Sequence, residues 1–259
     1  MTLSKDTIIP RHDDSGFINS DTIHYYANTN EKLLKAPVCG IIIELPGLGG
    51  SSCLGGFVGK QDYETERTTA FAEKGIVVAY MRPGPWSWGT RGVVRMTDAV
   101  VAAIIKKYDL PADTPIVVSG GSMGGLGALI YAAYTAYTLK GVVAACPCTD
   151  IFDLFNRHPD FPATVVSAVS SYDMPIEQAM KTINPFDQLD RMPAIPYFIC
   201  SDGDDSVCSA DLCDKYVEAL RTSGHTVTYY RQPGLDHGGF DPEVVEKLYA
   251  FMMNIILQK

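Results

Sequence analysis

The sequence predicts an α/β fold: a mostly parallel central sheet with helices on both faces and a small helical insertion. Three observations carry that reading. β-branched runs of strand length alternate with segments of helical spacing, the pattern that crossover connections impose on parallel strands. The alternation lapses between Pro147 and about Arg191, where short helical pieces carry several prolines and the aromatics Phe152, Phe155, Phe161, Tyr172 and Phe186. The run Gly120-Gly121-Ser122-Met123-Gly124 sits between a strand-like and a helix-like segment.

The elements follow in order. A strand pair is expected around Thr22–Ala27 and Val38–Glu44. Glu64–Lys74 reads as a helix stopped by Gly75, and Ile76–Met81 as a strand. Val93–Lys107 has helical apolar spacing, with Asp98 bracing or solvating it. Ile116–Ser119 is a buried strand, Gly124–Tyr137 a helix with a small-residue face, and Gly141–Ala145 the next strand. After the lapse come Ile195–Cys200 (strand), Ala210–Thr222 (helix), Val227–Arg231 (strand) and Pro242–Leu257 (helix). The expected organisation is one domain over residues 1–259, with a helical cap insertion at 148–190 above the C-terminal strand ends, where such sheets place their sites.

Composition narrows the function. The 259 residues are 46% hydrophobic and 20% charged, which suits a packed core. A net charge of −9 with no basic cluster argues against nucleic acid and anionic membrane surfaces as partners. No apolar run reaches transmembrane length, and Met1 to Arg11 lacks an apolar signal region, so a cytoplasmic location is expected. Seven scattered cysteines show no C-x-x-C spacing, and Cys39 and Cys200 read as reduced core residues within apolar strands.

The chemistry starts at Ser122. Strand, G-x-S-x-G, helix is the context of a nucleophile elbow, a strained turn that lifts the hydroxyl clear of the sheet. Side chains at Gly120 and Gly124 would collide across that turn. A serine hydroxyl needs a base, and the base needs an orienting acid. His237 follows a strand and precedes the last helix, within Pro233-Gly234-Leu235-Asp236-His237-Gly238-Gly239-Phe240, so its loop can swing an imidazole over the elbow. His12, His24, His158 and His225 are worse placed. The acid belongs to Ser201-Asp202-Gly203-Asp204-Asp205-Ser206-Val207; Asp205 is favoured and Asp204 is the alternative. A calcium loop lacks the downstream glutamate that its spacing requires.

An oxyanion site needs two N–H donors. Met123 supplies one, and Leu48 in Glu44-Leu45-Pro46-Gly47-Leu48-Gly49-Gly50-Ser51-Ser52 supplies the other. That loop matches neither a phosphate-binding nor a dinucleotide-binding pattern. Trp86 and Trp88, in a loop that follows a strand, either wall a substrate pocket or pin the loop to the domain. Arg82 and Arg91 either meet a substrate carboxylate or form ordinary ion pairs.

Together the Ser122 elbow, the Pro46-Gly47-Leu48-Gly49 loop, the Asp205 loop and the Pro233–Phe240 segment resemble the α/β-hydrolase fold family, from about Ile23 to Leu257. The tail is most similar to stand-alone esterases related to prolyl-oligopeptidase-type hydrolases, with their Gly-x-x-Asp-x-x-Val-like acid loop and Pro-Gly-x-x-His-Gly-Phe-like base loop. Two positions depart from that pattern: Pro46 stands where histidine is usual, and Asp202 where glycine is common. The resemblance implies a serine hydrolase that needs no metal and no organic cofactor and acts on a small ester or peptide-like substrate. Carboxylic-ester hydrolysis is the first expectation. A small peptidase or amidase, an acyltransferase and a non-catalytic scaffold are the rivals. The lack of room for a large N-terminal propeller weighs against an oligopeptidase proper.

Overall fold

The computed structural model describes residues 15–49 and 65–258. Among them, seven strands form one sheet in the order β1-β3-β2-β4-β5-β6-β7. The strands are β1 (Ala27–Thr29), β2 (Gly40–Leu45), β3 (Ile76–Met81), β4 (Ile116–Gly121), β5 (Gly141–Ala145), β6 (Tyr197–Asp202) and β7 (Val227–Gln232). Only β1 runs antiparallel, against β3; every other neighbouring pair is parallel. This is the α/β-hydrolase fold.

The alternation of side chains along each strand splits the core in two. Ile41, Ile43, Val118 and Val142 face one core, which includes Val100 and Ile104 of α2 (Arg91–Lys107) and Leu126 and Ile130 of α3 (Met123–Tyr134). Ile42, Val117, Val143 and Phe198 face the other, closed by Phe71 of α1 (Glu66–Glu73) and Met252 and Ile256 of α8 (Pro242–Ile256). Each such fully buried aliphatic side chain contributes about 1.5–3 kcal/mol. α7 (Ala210–Thr222) buries Cys213, Tyr216, Val217 and Leu220 on its apolar stripe. α8 lies so close to the sheet that a methyl group at Gly40 would sit 2.2 Å from Ile256 Cγ2.

The segment between β5 and β6 holds α4 (Ile151–Arg157), α5 (Phe161–Val169), α6 (Ile176–Lys181) and a 3-10 segment, Pro185–Arg191. Its aromatics pack onto the domain below: the Tyr172 hydroxyl accepts from Arg91 N (2.8 Å), and Phe186 meets Tyr216 edge-on. No helix of the described residues is long and apolar enough to cross a membrane.

Three expectations change. The strand expected at Thr22–Ala27 is a 3-10 turn, Ile23–Tyr25, leading into β1; its polar residues gain little from a buried sheet position. Cys39 is exposed, because β2 begins at Gly40, after it. Asp98 braces rather than solvates: its carboxylate accepts from Thr135 Oγ1 (2.6 Å) and Ala136 N (3.1 Å), capping the end of α3.

Candidate active site

Ser122 sits at the junction of β4 and α3 with φ 56° and ψ −123°, a backbone conformation rare outside glycine. Close packing enforces it. A Cβ on Gly120 would lie 2.3 Å from Gly124 O, and one on Gly124 would lie 2.1 Å from Leu45 O. The Ser122 N–H is anchored to Ala145 O (2.9 Å), so the turn hangs from the end of β5.

The hydroxyl meets an imidazole. Ser122 Oγ lies 2.9 Å from His237 Nε2, and His237 Nδ1 lies 2.8 Å from Asp205 Oδ2. Three residues far apart in the chain thus form one line of hydrogen bonds. The Asp205 side chain is fully buried, while the imidazole keeps 22% exposure. Asp204 is exposed, with its N–H bonded to Leu235 O (3.0 Å), and it is the Asp205 carboxylate that meets the imidazole. Asp205 Oδ1 also accepts from Val207 N (2.8 Å) and Cys208 N (2.7 Å), which fixes the carboxylate. Burial pushes the His237 pKa down, but the hydrogen bond and charge of Asp205 outweigh it and leave it raised.

Met123 and the loop carrying Leu48 both adjoin Ser122. Met123 is the first residue of α3, so its N–H has no acceptor within the helix. A Cβ on Gly47 would lie 4.0 Å from Ser122 Cβ, which brings the loop carrying Leu48 against the serine. Gly50, Ser51 and Ser52 of that loop lie outside the described residues. The Gly49 N–H donates to Pro85 O (2.9 Å), joining this loop to the one that bears the tryptophans.

The tryptophans separate. Trp86 is 45% exposed beside the rim, whereas Trp88 is buried. Trp88 Nε1 donates to Thr164 Oγ1 (3.1 Å) and its ring meets Phe161 edge-on, so it pins the loop to α5 instead of walling a pocket. The arginines are equally occupied. Arg91 is buried under the insertion, donating to Thr182 O (3.1 Å) with its guanidinium over the Tyr134 ring, and Arg82 bonds Asn28.

Sequence reasoning missed the supports of the base loop. Asp202, buried at the end of β6, accepts through Oδ2 from Gly238 N (2.8 Å) and Gly239 N (3.2 Å) and through Oδ1 from Gln232 Nε2 (2.9 Å). Gln232 Oε1 in turn accepts from Asp241 N (2.7 Å). Desolvation raises the Asp202 pKa, opposed by those two N–H bonds. Asp236 Oδ1 accepts from Ser206 N and His237 N, both at 2.8 Å, tying acid loop to base loop; these bonds lower its pKa. The one signal in the sequence was Asp202 standing where related acid loops carry glycine.

Cys146 Sγ, an Asp205 oxygen and a His237 nitrogen lie within 4.8 Å of one another. They suit a metal poorly: burial, then the charges of Asp202 and Asp205, hold the thiol protonated, and the other two groups already bind each other. Behind the elbow, on the α8 side of the sheet, a separate cavity of about 210 Å³ is lined by Glu44, Ser119, Gly120, Val244 and Tyr249.

Comparison with known proteins agrees with this architecture. A search of curated protein sequences returned no significant match. Among solved structures, the chain is similar to a puromycin-hydrolysing peptidase of Mycobacterium tuberculosis (19% identity, TM-score 0.65, covering 86% of this chain and 35% of that one). It is also similar to esterase B of Lactobacillus rhamnosus (13% identity, TM-score 0.61, 86% and 76%) and to a truncated carbohydrate esterase from gut microbiota (15% identity, TM-score 0.65, 86% and 88%). The chain spans about a third of the length of the puromycin-hydrolysing structures it matches. The model of the prolyl oligopeptidase family matches residues 66–259, a span that takes in Ser122, Asp205 and His237, and the chain belongs to that family.

Proposed function

We propose that this protein is a serine hydrolase that cleaves carboxylic esters through an acyl-enzyme intermediate. The observation that carries the reading is the unbroken line Ser122 Oγ–His237 Nε2 (2.9 Å), His237 Nδ1–Asp205 Oδ2 (2.8 Å). In the first half of the cycle, Ser122 Oγ attacks the ester carbonyl while His237 Nε2 takes its proton. Asp205 holds the imidazole with Nδ1 protonated and stabilises the imidazolium. The Leu48 and Met123 N–H groups receive the carbonyl oxygen as it becomes an oxyanion. The imidazolium then protonates the leaving alkoxide, the alcohol departs and the acyl group stays on Ser122. In the second half, His237 activates a water, which releases the acid and restores the serine.

Local charge supports a neutral substrate. Asp204 is exposed in the acid loop, and Asp236, whose pKa is lowered, flanks the base. Both repel a substrate carboxylate. Trp86, exposed beside the Leu48 loop, is the proposed contact for the acyl or alkyl part. Amide or peptide cleavage is the second reading, favoured by the family itself and by the peptidase among the similar structures. Both readings use the same residues.

The test is a panel of p-nitrophenyl esters of rising chain length beside aminoacyl amides, with fluorophosphonate labelling mapped by peptide mass. Ester turnover with label on Ser122 is the expected result. Wild-type turnover retained by Ser122→Ala would overturn the proposal.

A further inference from the structure

The cavity behind the elbow takes no part in the chemistry at Ser122. Glu44 and Ser119 stand opposite each other on β2 and β4, and both line it beside Gly120 and Gly121. A Cβ on Gly121 would meet only Ala145 O, at an ordinary 3.7 Å, so glycine leaves space there that close packing does not demand. Phe240, Val244 and Leu248 supply an apolar wall from the base loop and α8. The volume is about 210 Å³. One water needs only ~10–15 Å³, so a ligand of several heavy atoms fits.

Glu44 has no counter-ion in this cavity. None of the ion pairs among the described residues includes it. Arg67, the cation on the cavity wall, is already engaged: Nη2 donates to Glu246 Oε1 (3.1 Å), and the guanidinium lies over the Tyr249 ring at 4.5 Å. The other titratable neighbours carry no positive charge: Tyr80 on β3 in register with Glu44, Cys200 on β6 and Tyr249 on α8. A carboxylate withdrawn from water needs either a proton or a cation.

We infer that this cavity is a binding site for a small primary alkylammonium ion, with Glu44 as its counter-ion. The ammonium has three N–H donors, and the Ser119 and Tyr249 hydroxyls stand on the same wall as further acceptors. The alkyl chain lies along Phe240, Val244 and Leu248. A carboxylate ligand meets Glu44 as a like charge, and a neutral alcohol leaves it uncompensated. The net charge of −9 also favours a cation. Glu44 must give up its proton to pair. Burial lifts its carboxyl to about 7, while a primary amine stays charged up to pH ~10. Affinity therefore rises with pH, by about tenfold from pH 6 to pH 8. The site does not depend on the hydrolase reading of Ser122.

The experiment titrates the full chain with n-butylammonium, 1-butanol and butyrate, read by ligand-observed NMR at pH 6 and pH 8. Butylammonium is expected to bind at pH 8 with a Kd of about 1 mM, which a ligand of this size can reach. It should bind at least about tenfold tighter than 1-butanol or butyrate, and about tenfold tighter at pH 8 than at pH 6. Glu44→Gln keeps the shape of the cavity. It should weaken butylammonium at least about tenfold, erase the pH dependence and leave 1-butanol unchanged. Leu248→Trp, which fills the cavity from α8, should abolish binding of all three with the circular dichroism spectrum intact. Absence of butylammonium binding would overturn the inference, as would equal affinity for 1-butanol or tighter binding of butyrate. So would affinity that survives in Glu44→Gln, which would place the amine at the exposed Asp204 and Asp236 instead.

Discussion

The elbow and the acid–base platform position their residues by opposite means. At the elbow, Ser122 is placed by close packing: backbone so near Gly120 and Gly124 leaves no room for a side chain at either position between β4 and α3. On the platform, Asp205 and His237 are placed by hydrogen bonds from one loop to another, through Asp202, Asp236 and Gln232. A steric device fails abruptly, because close-packed backbone has no intermediate position. A hydrogen-bonded device loosens by degrees, since each bond carries only part of the constraint.

Five substitutions and two pH dependences break or sharpen that contrast. Ser122→Ala should lower ester turnover by about a million-fold with the fold intact, read by turnover beside circular dichroism. Asp205→Asn should cost about 10⁴-fold through the wrong imidazole tautomer. The same pair sets the pH profile. His237 must be neutral to accept a proton, and its pKa stands above the ordinary 6.5. Turnover should therefore rise with pH through a midpoint above 6.5, and removing the Asp205 charge should move that midpoint down. A wild-type midpoint below 6.5 would contradict the geometry.

Gly124→Ala tests the steric side. Its Cβ would lie 2.1 Å from Leu45 O, so the turn must shift. A displacement of about 1 Å at the nucleophile costs on the order of 100-fold, read as kcat on soluble protein. Asp202→Asn tests the bonded side. It keeps the shape but weakens the acceptor for Gly238 and Gly239, so kcat should fall about 10-fold with KM unchanged. A larger loss from Asp202→Asn than from Gly124→Ala would reverse the comparison.

Glu44→Gln should affect turnover least. Burial lifts the Glu44 carboxyl from 4.5 to about 7, opposed by a Ser119 hydrogen bond. A raised carboxyl favours the folded state in its protonated form. Its contribution is complete below pH 4.5 and is lost as pH rises through about 7. Urea midpoints across that window should fall in the wild type and flatten in Glu44→Gln.

The contrast also explains what the chain discloses of itself. Wherever a neighbour in sequence sets the structure, the reading holds. Gly141–Ala145 and Ala210–Thr222 have the expected bounds, because β-branched runs and amphipathic spacing are local signals. Ser122 is legible for the same reason: strand, glycines and helix lie within one short stretch. Thr22–Ala27 misled because alternating polarity near a chain end fits a turn as well as a strand.

Local pattern in the polypeptide thus determined the α/β layering, the elbow and the candidate order Ser122, Asp205, His237. Tertiary structure supplied the contact that separates Asp205 from its alternative Asp204, and it alone decided the burial of Trp88 beneath α5 and the role of Asp202 beneath His237. The physical reason is range. Helix, strand and turn signals act over a few residues, whereas a carboxylate finds its partners some 30 positions away only after the sheet has brought two loops together.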